Sequence, residues 1–443
     1  MKALDHSQRS IVFGEDTIVD GYSFLPTERR CHHWRRENKG AAVEFLEDRC
    51  WKSVHSNDFQ ELMDDLSGRR VFGKGYQEKI RLSLQPKFPP RVLPGSSFAR
   101  VLGNAYRSLA RTSTGFDGQS RFKILLNHRF ISVFRDGEPM RRDLQRRIVI
   151  RVYRGGQEKD FMDYPIRSTK PFWAIDWMRA FDISSCSADK HFSIAAVRRG
   201  FPTKSDLMDI VFDGGVGAIA LHEACGHLVE SDLNILGSSG PIRLGDKVAG
   251  DFVTLVDNPT IPGALGSYSV DDEGNAAGAT TIIERGRLKR LLSSMRYSRA
   301  DDKEASANGR RSSYRNIAFP RMSNLVLVQG RANRSEIIKS VSRGILVKAI
   351  GVGGENYPGL GSFAISVRDG RFITNGKAGE GTGRLMILGL SADFLRKIAS
   401  VGQKPAFKPL ATLCEKHQQR LYTDGITPPF LVRGLNVLWG ENE

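Results

Sequence analysis

The chain has 443 residues and an ordinary globular composition, 40% hydrophobic and 26% charged, enough for two large or three average domains. No apolar run approaches the roughly 18–20 residues of a membrane helix, so the sequence reads without a helical membrane span. Net charge is +17 but unevenly placed: residues 51–200 carry 28 Lys+Arg against 15 Asp+Glu, while residues 201–250 carry 3 against 7. A basic first half suits nucleic acid or an acidic partner on charge alone. Its aromatic residues form no recognisable base-stacking module, which makes nucleic-acid binding the alternative and not the main reading.

The opening stretch, MKALDHSQRSIVFGEDTIVDGYSF, has acidic residues where an export signal needs an unbroken apolar segment. Cys31, Cys50, Cys186, Cys225 and Cys414 are odd in number and widely scattered, which is no disulfide framework. Both features point to a reducing cytoplasm. CHHW at 31–34, with Cys50 and His55 beyond it, fits no common zinc module and reads as surface.

Residues 1 to about 95 show no clear period and close on the Pro-rich connector QPKFPPRVLPG. SSFARVLGNAYRSLAR then combines a Ser cap with helically spaced apolar residues, predicting a helix to about Arg111. Alternation over 122–161, broken by RDGEP and RGGQ, predicts antiparallel strands, and a helix is expected near PFWAIDWMRAFD. FDGGVGAIALHEACGHLVE predicts a Gly-rich turn running into a largely buried helix. After it come short strands and Gly turns: DFVTLVDNP, TTIIERGRLKRLL, MSNLVLVQG and GSFAISVRDGRFITNG. DDEG at 271–274 reads as a turn between strands in preference to a cation site.

The chemistry concentrates in ALHEACGHLVESD, residues 220–232. Imidazole is a good zinc ligand, but His222 and His227 are five apart, not four as in H-E-x-x-H. Five residues rotate by about 500° on an ideal α-helix and leave the two rings roughly 140° apart. A π-type turn absorbs the extra residue, and Gly226 is suited to such a distortion. Glu223 stands where a general base for zinc hydrolysis usually stands. A catalytic zinc needs a third protein ligand, for which Glu230, Asp232, His417, Cys225 and Cys414 are all candidates. Of these, Cys225 is better read as a small packing residue.

DGGVGAIALHEACGHLVESD, SVDDEG (269–274) and NGRRSSYRNIAFPRMSN (308–324) together resemble the TldD/PmbA metallopeptidase family, TldD branch, and the likeness extends over roughly 110–443. The resemblance implies an α+β fold. An amino-terminal α/β domain (1–195, its first 90 or so residues divergent) would precede a carboxyl-terminal metallopeptidase domain (196–443) of twisted antiparallel sheet carrying the metal-binding helix. It also implies Zn held by His222, His227 and Cys414, with Glu223 catalytic. Cys414 lies in a V-C-G-K-like context, although Glu415 replaces the family's Gly, and His417 is the rival ligand. Arg310, Arg311 and Tyr314, in the NGRRSSY segment, are candidates for holding substrate. The implied activity is hydrolysis of flexible or unfolded peptides, such as a modified-peptide precursor, by a dimer, commonly of a TldD-type subunit with a PmbA-type sibling. A non-catalytic peptide-binding or assembly subunit is the competing reading.

Overall fold

Strands dominate the computed structural model, which describes residues 10–25, 30–47, 50–57, 61–62, 121–135, 138–153, 161–168, 203–235, 242–298, 306–357, 361–383, 385–407 and 412–440. The helices expected at 97–111 and near 171–182 lie outside these residues. No described helix is long and apolar enough to cross a membrane. The chain forms two compact units. One comprises Met1–Asp189, Val270–Ala276 and Arg311–Ala318; the other comprises Lys190–Ser269, Ala277–Arg310 and Phe319–Glu443.

In the first unit, strands β1 (Ser10–Leu25), β2 (Arg30–Glu47), β3 (Cys50–Ser56), β4 (Arg121–Arg135), β5 (Glu138–Tyr153) and β6 (Phe161–Ser168) form one sheet in the order β3-β2-β1-β4-β5-β6. Every pairing is antiparallel. Three of these strands occupy residues 10–56, where no period is evident in the sequence. The reason is visible in what the sheet buries. Apolar Phe13, Val43 and Val133 share the interior with Glu15, Glu44, Arg129 and Arg141.

Those charges are paired, as burial demands. Arg129 Nε donates to Glu15 at 2.9 Å, and Arg141 meets Asp272 at 2.9 Å. Arg311 meets Glu44 at 2.7 Å. Asp272 and Arg311 come from the two later segments of the unit, which a linear division at 195/196 assigns to the carboxyl-terminal part. DDEG is a turn whose Asp271 accepts from the backbone N–H groups of Glu273 and Asn275. Register also separates the cysteines and histidines of CHHW from Cys50 and His55. Cys31 pairs with Phe24 at one end of β2, while His55 pairs with Ala42 and Cys50 with Glu47. At about 3.3 Å per residue, the nine positions between His33 and Ala42 span roughly 30 Å.

The second unit is built on two sheets. Strands β7 (Thr203–Phe212), β14 (Arg343–Tyr357), β15 (Ser362–Thr374), β17 (Leu385–Leu390) and β22 (Phe430–Gly440) close into a barrel, because β14 pairs with both β7 and β15. β16 (Lys377–Gly381) and β18 (Ile398–Val401) extend it. The other sheet runs β10 (Arg287–Leu288), β9 (Thr280–Glu284), β8 (Leu255–Asp257), β13 (Asn324–Leu327), β21 (Gln419–Thr427), β19 (Ala406–Phe407), with β20 (Thr412–Lys416) also on β21. β11 (Gly309–Arg310) pairs with β12 (Phe319–Pro320). Asn375-Gly376, both at positive φ, make the turn after β15 that their sequence announces.

A helical run beginning with α1 (Gly217–Leu221) packs into one apolar core with both sheets. Val216, Ala220, Leu221, Ala224 and Leu228 share that core with Phe212, Ile345 and Phe430 of the barrel and with Leu255, Ile283 and Leu325 of the other sheet. Fit is close enough to exclude side chains. A Cβ on Gly217 would lie 2.1 Å from Phe430 Cε1, and one on Gly226 would lie 1.9 Å from Met322 Sδ. Gly226 has ordinary right-handed dihedrals, φ −61° and ψ −47°. Its glycine is therefore required for space and not for backbone freedom, which corrects the reason given by the sequence. Gly226→Ala is expected to cost about 1–3 kcal/mol through overpacking, measured by denaturant unfolding, with Met322→Ala restoring much of it.

Candidate metal centre

After α1 the helix changes pitch. His222–Gly226 is a π-helical turn and His227–Val229 a 3-10 turn, before α2 (Ser231–Ile235). A wider turn absorbs one residue, so the five-residue spacing brings the histidines together. Their ring centroids are 4.9 Å apart, at nearly right angles. Cys414, on β20, joins them: its Sγ is 3.4 Å from His227 Nε2. The ligand atoms of His222, His227 and Cys414 all lie within 4.8 Å of one another, and all three residues are buried.

Hydrogen bonds at the far side of each ring fix which nitrogen faces the cluster. His227 Nδ1 donates to Glu230 Oε2 at 2.8 Å, so Nε2 is the nitrogen turned toward Cys414. His222 Nδ1 lies 3.4 Å from Thr423 Oγ1, while its buried Nε2 has no hydrogen-bond partner among the described residues. A carboxylate or hydroxyl behind each imidazole is the usual support of a metal-binding histidine. Zinc bonds of about 2.0–2.3 Å in tetrahedral geometry separate ligand atoms by roughly 3.3–3.6 Å. The 3.4 Å between Cys414 Sγ and His227 Nε2 lies in that range, and two imidazoles with a thiol are a suitable donor set for such an ion.

Electrostatics favour a thiolate. Burial pushes the Cys414 thiol up, but the facing His227, His222 and Arg321 prevail and hold it well below the usual range. For His227, burial disfavours the charged ring, yet Cys414 and Glu230 raise its pKa well above the usual value. Glu230 is likewise opposed by burial but lowered overall by Lys416 and His227. Glu223, buried beside the first histidine, goes the other way: burial raises its pKa despite the attraction of His222 and His227. Burial alone raises the Cys225 thiol, as suits a packing residue.

His417 is not in the cluster. Its Nε2 faces Asp232 Oδ2 at 3.1 Å and its ring packs on Phe319 with centroids 4.4 Å apart. Arg310, Arg311 and Tyr314 are also buried. Arg310 donates to the carbonyls of Met322 and Tyr422 and lies over the Tyr268 ring. In the other unit, Arg311 pairs with Glu44, and the Tyr314 N–H donates to Glu15 at 2.9 Å. For any of the three to hold substrate, the fold must release it. Sequence reasoning missed Lys416 and Arg321, which surround Cys414. A signal did exist: Lys416 follows Cys414 by two residues on a strand and so shares its face.

The sequence profile of the PmbA/TldA metallopeptidase C-terminal domain matches residues 205–438, a stretch that contains every residue of this cluster. The chain belongs to the TldD/PmbA metallopeptidase family. It is 32% identical over 218 residues to a metalloprotease TldD homolog of Buchnera aphidicola, covering 49% of this chain and 45% of that protein. With a zinc metalloprotease TldD homolog of Saccharolobus solfataricus it shares 27% identity over 273 residues, 61% of this chain and 60% of the relative. Its matches thus span about half the length of these curated relatives. The fold resembles the crystal structure of TldE from Thermococcus kodakarensis, with a TM-score of 0.61, 14% identity and coverage of 97% and 96% of the two chains.

Proposed function

We propose that this TldD/PmbA family member is a zinc-dependent peptidase acting on flexible or unfolded peptides. The carrying observation is the buried cluster of His222, His227 and Cys414 ligand atoms, with Glu223 next to the first of them. A relative named as a zinc metalloprotease supports the choice of metal.

His222 and His227 would hold the ion through Nε2, and Cys414 through its thiolate. Bound there, zinc supplies Lewis acidity that polarises a scissile carbonyl and acidifies water. The residues do the rest. Glu230 keeps the proton of His227 on Nδ1 and so keeps Nε2 free. Glu223 takes a proton from the attacking water at its carboxylate and returns it to the departing amine. Its raised pKa brings it toward the working range of a proton shuttle. The active form is a dimer, by family likeness with a PmbA-type sibling, and works in the cytoplasm.

Purified protein, alone and with such a sibling, is expected to cleave unstructured peptides, as mapped by mass spectrometry. Chelation should stop cleavage and added zinc should restore it. One bound zinc without any cleavage in either preparation would instead favour a peptide-binding subunit.

A further inference from the structure

The hairpin that carries Cys414 is held to the histidine-bearing segment by more than the ligand cluster. β20 and β21 are joined by His417 and Gln418, both at positive φ, 50° and 61°. Neither is a glycine, so the turn adopts a conformation that its own residues disfavour, and contacts around it must hold it. Three of those contacts are made by Lys416. Its buried ammonium donates to Glu230 Oε2 at 2.9 Å, to Asp232 Oδ1 at 3.0 Å and to the Pro320 carbonyl at 2.6 Å. All three donor sites of an ammonium are therefore filled. Both carboxylates are completely buried, with no exposed side-chain surface.

The two acceptors have different tasks. Glu230 also receives His227 Nδ1–H at 2.8 Å and the Met322 N–H at 3.0 Å. One carboxylate thus touches both His227 and the residue next but one to Cys414. Asp232, on α2, also receives His417 and ties the tip of the hairpin to the end of the helical run. Arg321 secures the hairpin independently, donating to the carbonyls of Cys414 at 2.8 Å and Gln419 at 3.2 Å. Loss of Lys416 should therefore loosen the hairpin without detaching it.

We infer that Lys416 is a positioning residue of the metal centre: by bridging Glu230 and Asp232 it sets Cys414 against His222 and His227 and holds Glu230 behind His227. This rests on the proposed zinc site. Lys416 is outside the ligand cluster and acts through Cys414 and His227, the two ligands it aligns.

The test uses cobalt(II) as a spectroscopic substitute for zinc in the full chain. The unaltered protein should bind one cobalt with an intense near-ultraviolet thiolate-to-metal band that disappears in Cys414→Ala. Lys416→Met combined with Asp232→Asn removes one buried positive and one buried negative charge, so the cluster keeps its net charge. This double variant should retain its circular dichroism and cooperative melting while binding cobalt about 10–100-fold more weakly, the range for loss of an outer-shell partner, with a weaker or shifted band. Affinity and band unchanged in a folded double variant would overturn the role of Lys416 and leave the ligand set standing. If the unaltered protein lacks the band, the ligand set itself fails and this inference with it. Should the double variant not fold, Lys416→Gln keeps one donor for Glu230 and should weaken cobalt binding about tenfold; unchanged binding in that folded variant overturns the inference.

Discussion

Cys414→Ala should leave the protein folded and unable to retain zinc through gel filtration against a weak chelator, whereas the unaltered protein should carry about one zinc per chain by elemental analysis. Two buried imidazoles remain in the variant, but a two-ligand site loses a thiolate that His227, His222 and Arg321 favour electrostatically. Thiolate is the softest donor in the set, well matched to zinc. The loss should exceed the roughly 10–100-fold that removal of an outer-shell partner costs. Truncation at this strand position removes one sulfur, and the main-chain bond from Arg321 to the Cys414 carbonyl is retained. Full zinc occupancy in the variant would mean that Glu223 or another acid completes the site.

Glu223→Gln separates metal binding from chemistry. The amide is almost isosteric, leaves His222, His227 and Cys414 in place, and should carry zinc at the level of the unaltered protein. It accepts no proton from water, so kcat for peptide cleavage should fall by about 10²–10⁴-fold, the usual contribution of a general acid–base group, with KM changed far less. Elemental analysis and cleavage kinetics on the same preparation check both halves. Cleavage at the original rate by a clean preparation would remove Glu223 from the mechanism.

Much of this centre could be read from the chain because its parts are local. His222, Glu223 and His227 lie within six residues, and the spacing of the histidines demands the π-turn that lies between them. Strands β9 and β15 also announce themselves, by their β-branched and apolar residues and, for β15, by a terminal Asn-Gly turn. Local reasoning fails where partners are distant. Nothing near Cys414 in sequence identifies His227, 187 residues earlier, as its neighbour; the choice among five candidate third ligands came from family likeness.

The antiparallel pair β4–β5 falls where alternation predicts strands, whereas the first three strands of the first unit's sheet were illegible for a different reason. They bury Glu15 and Glu44, and alternation counts charges as solvent-facing. Their neutralising partners, Arg129 and Arg311, lie more than 100 residues later. The same distance concealed the contacts of Arg311 and Tyr314, which look like free polar groups in the sequence and are buried in the fold.

The ligand set itself is tested most directly by X-ray absorption at the zinc edge of the purified, unaltered protein. One sulfur at about 2.3 Å and two imidazole nitrogens at about 2.0–2.1 Å are expected, with the sulfur contribution absent from any residual zinc in Cys414→Ala. A zinc shell made of nitrogen and oxygen alone would contradict the assignment of Cys414.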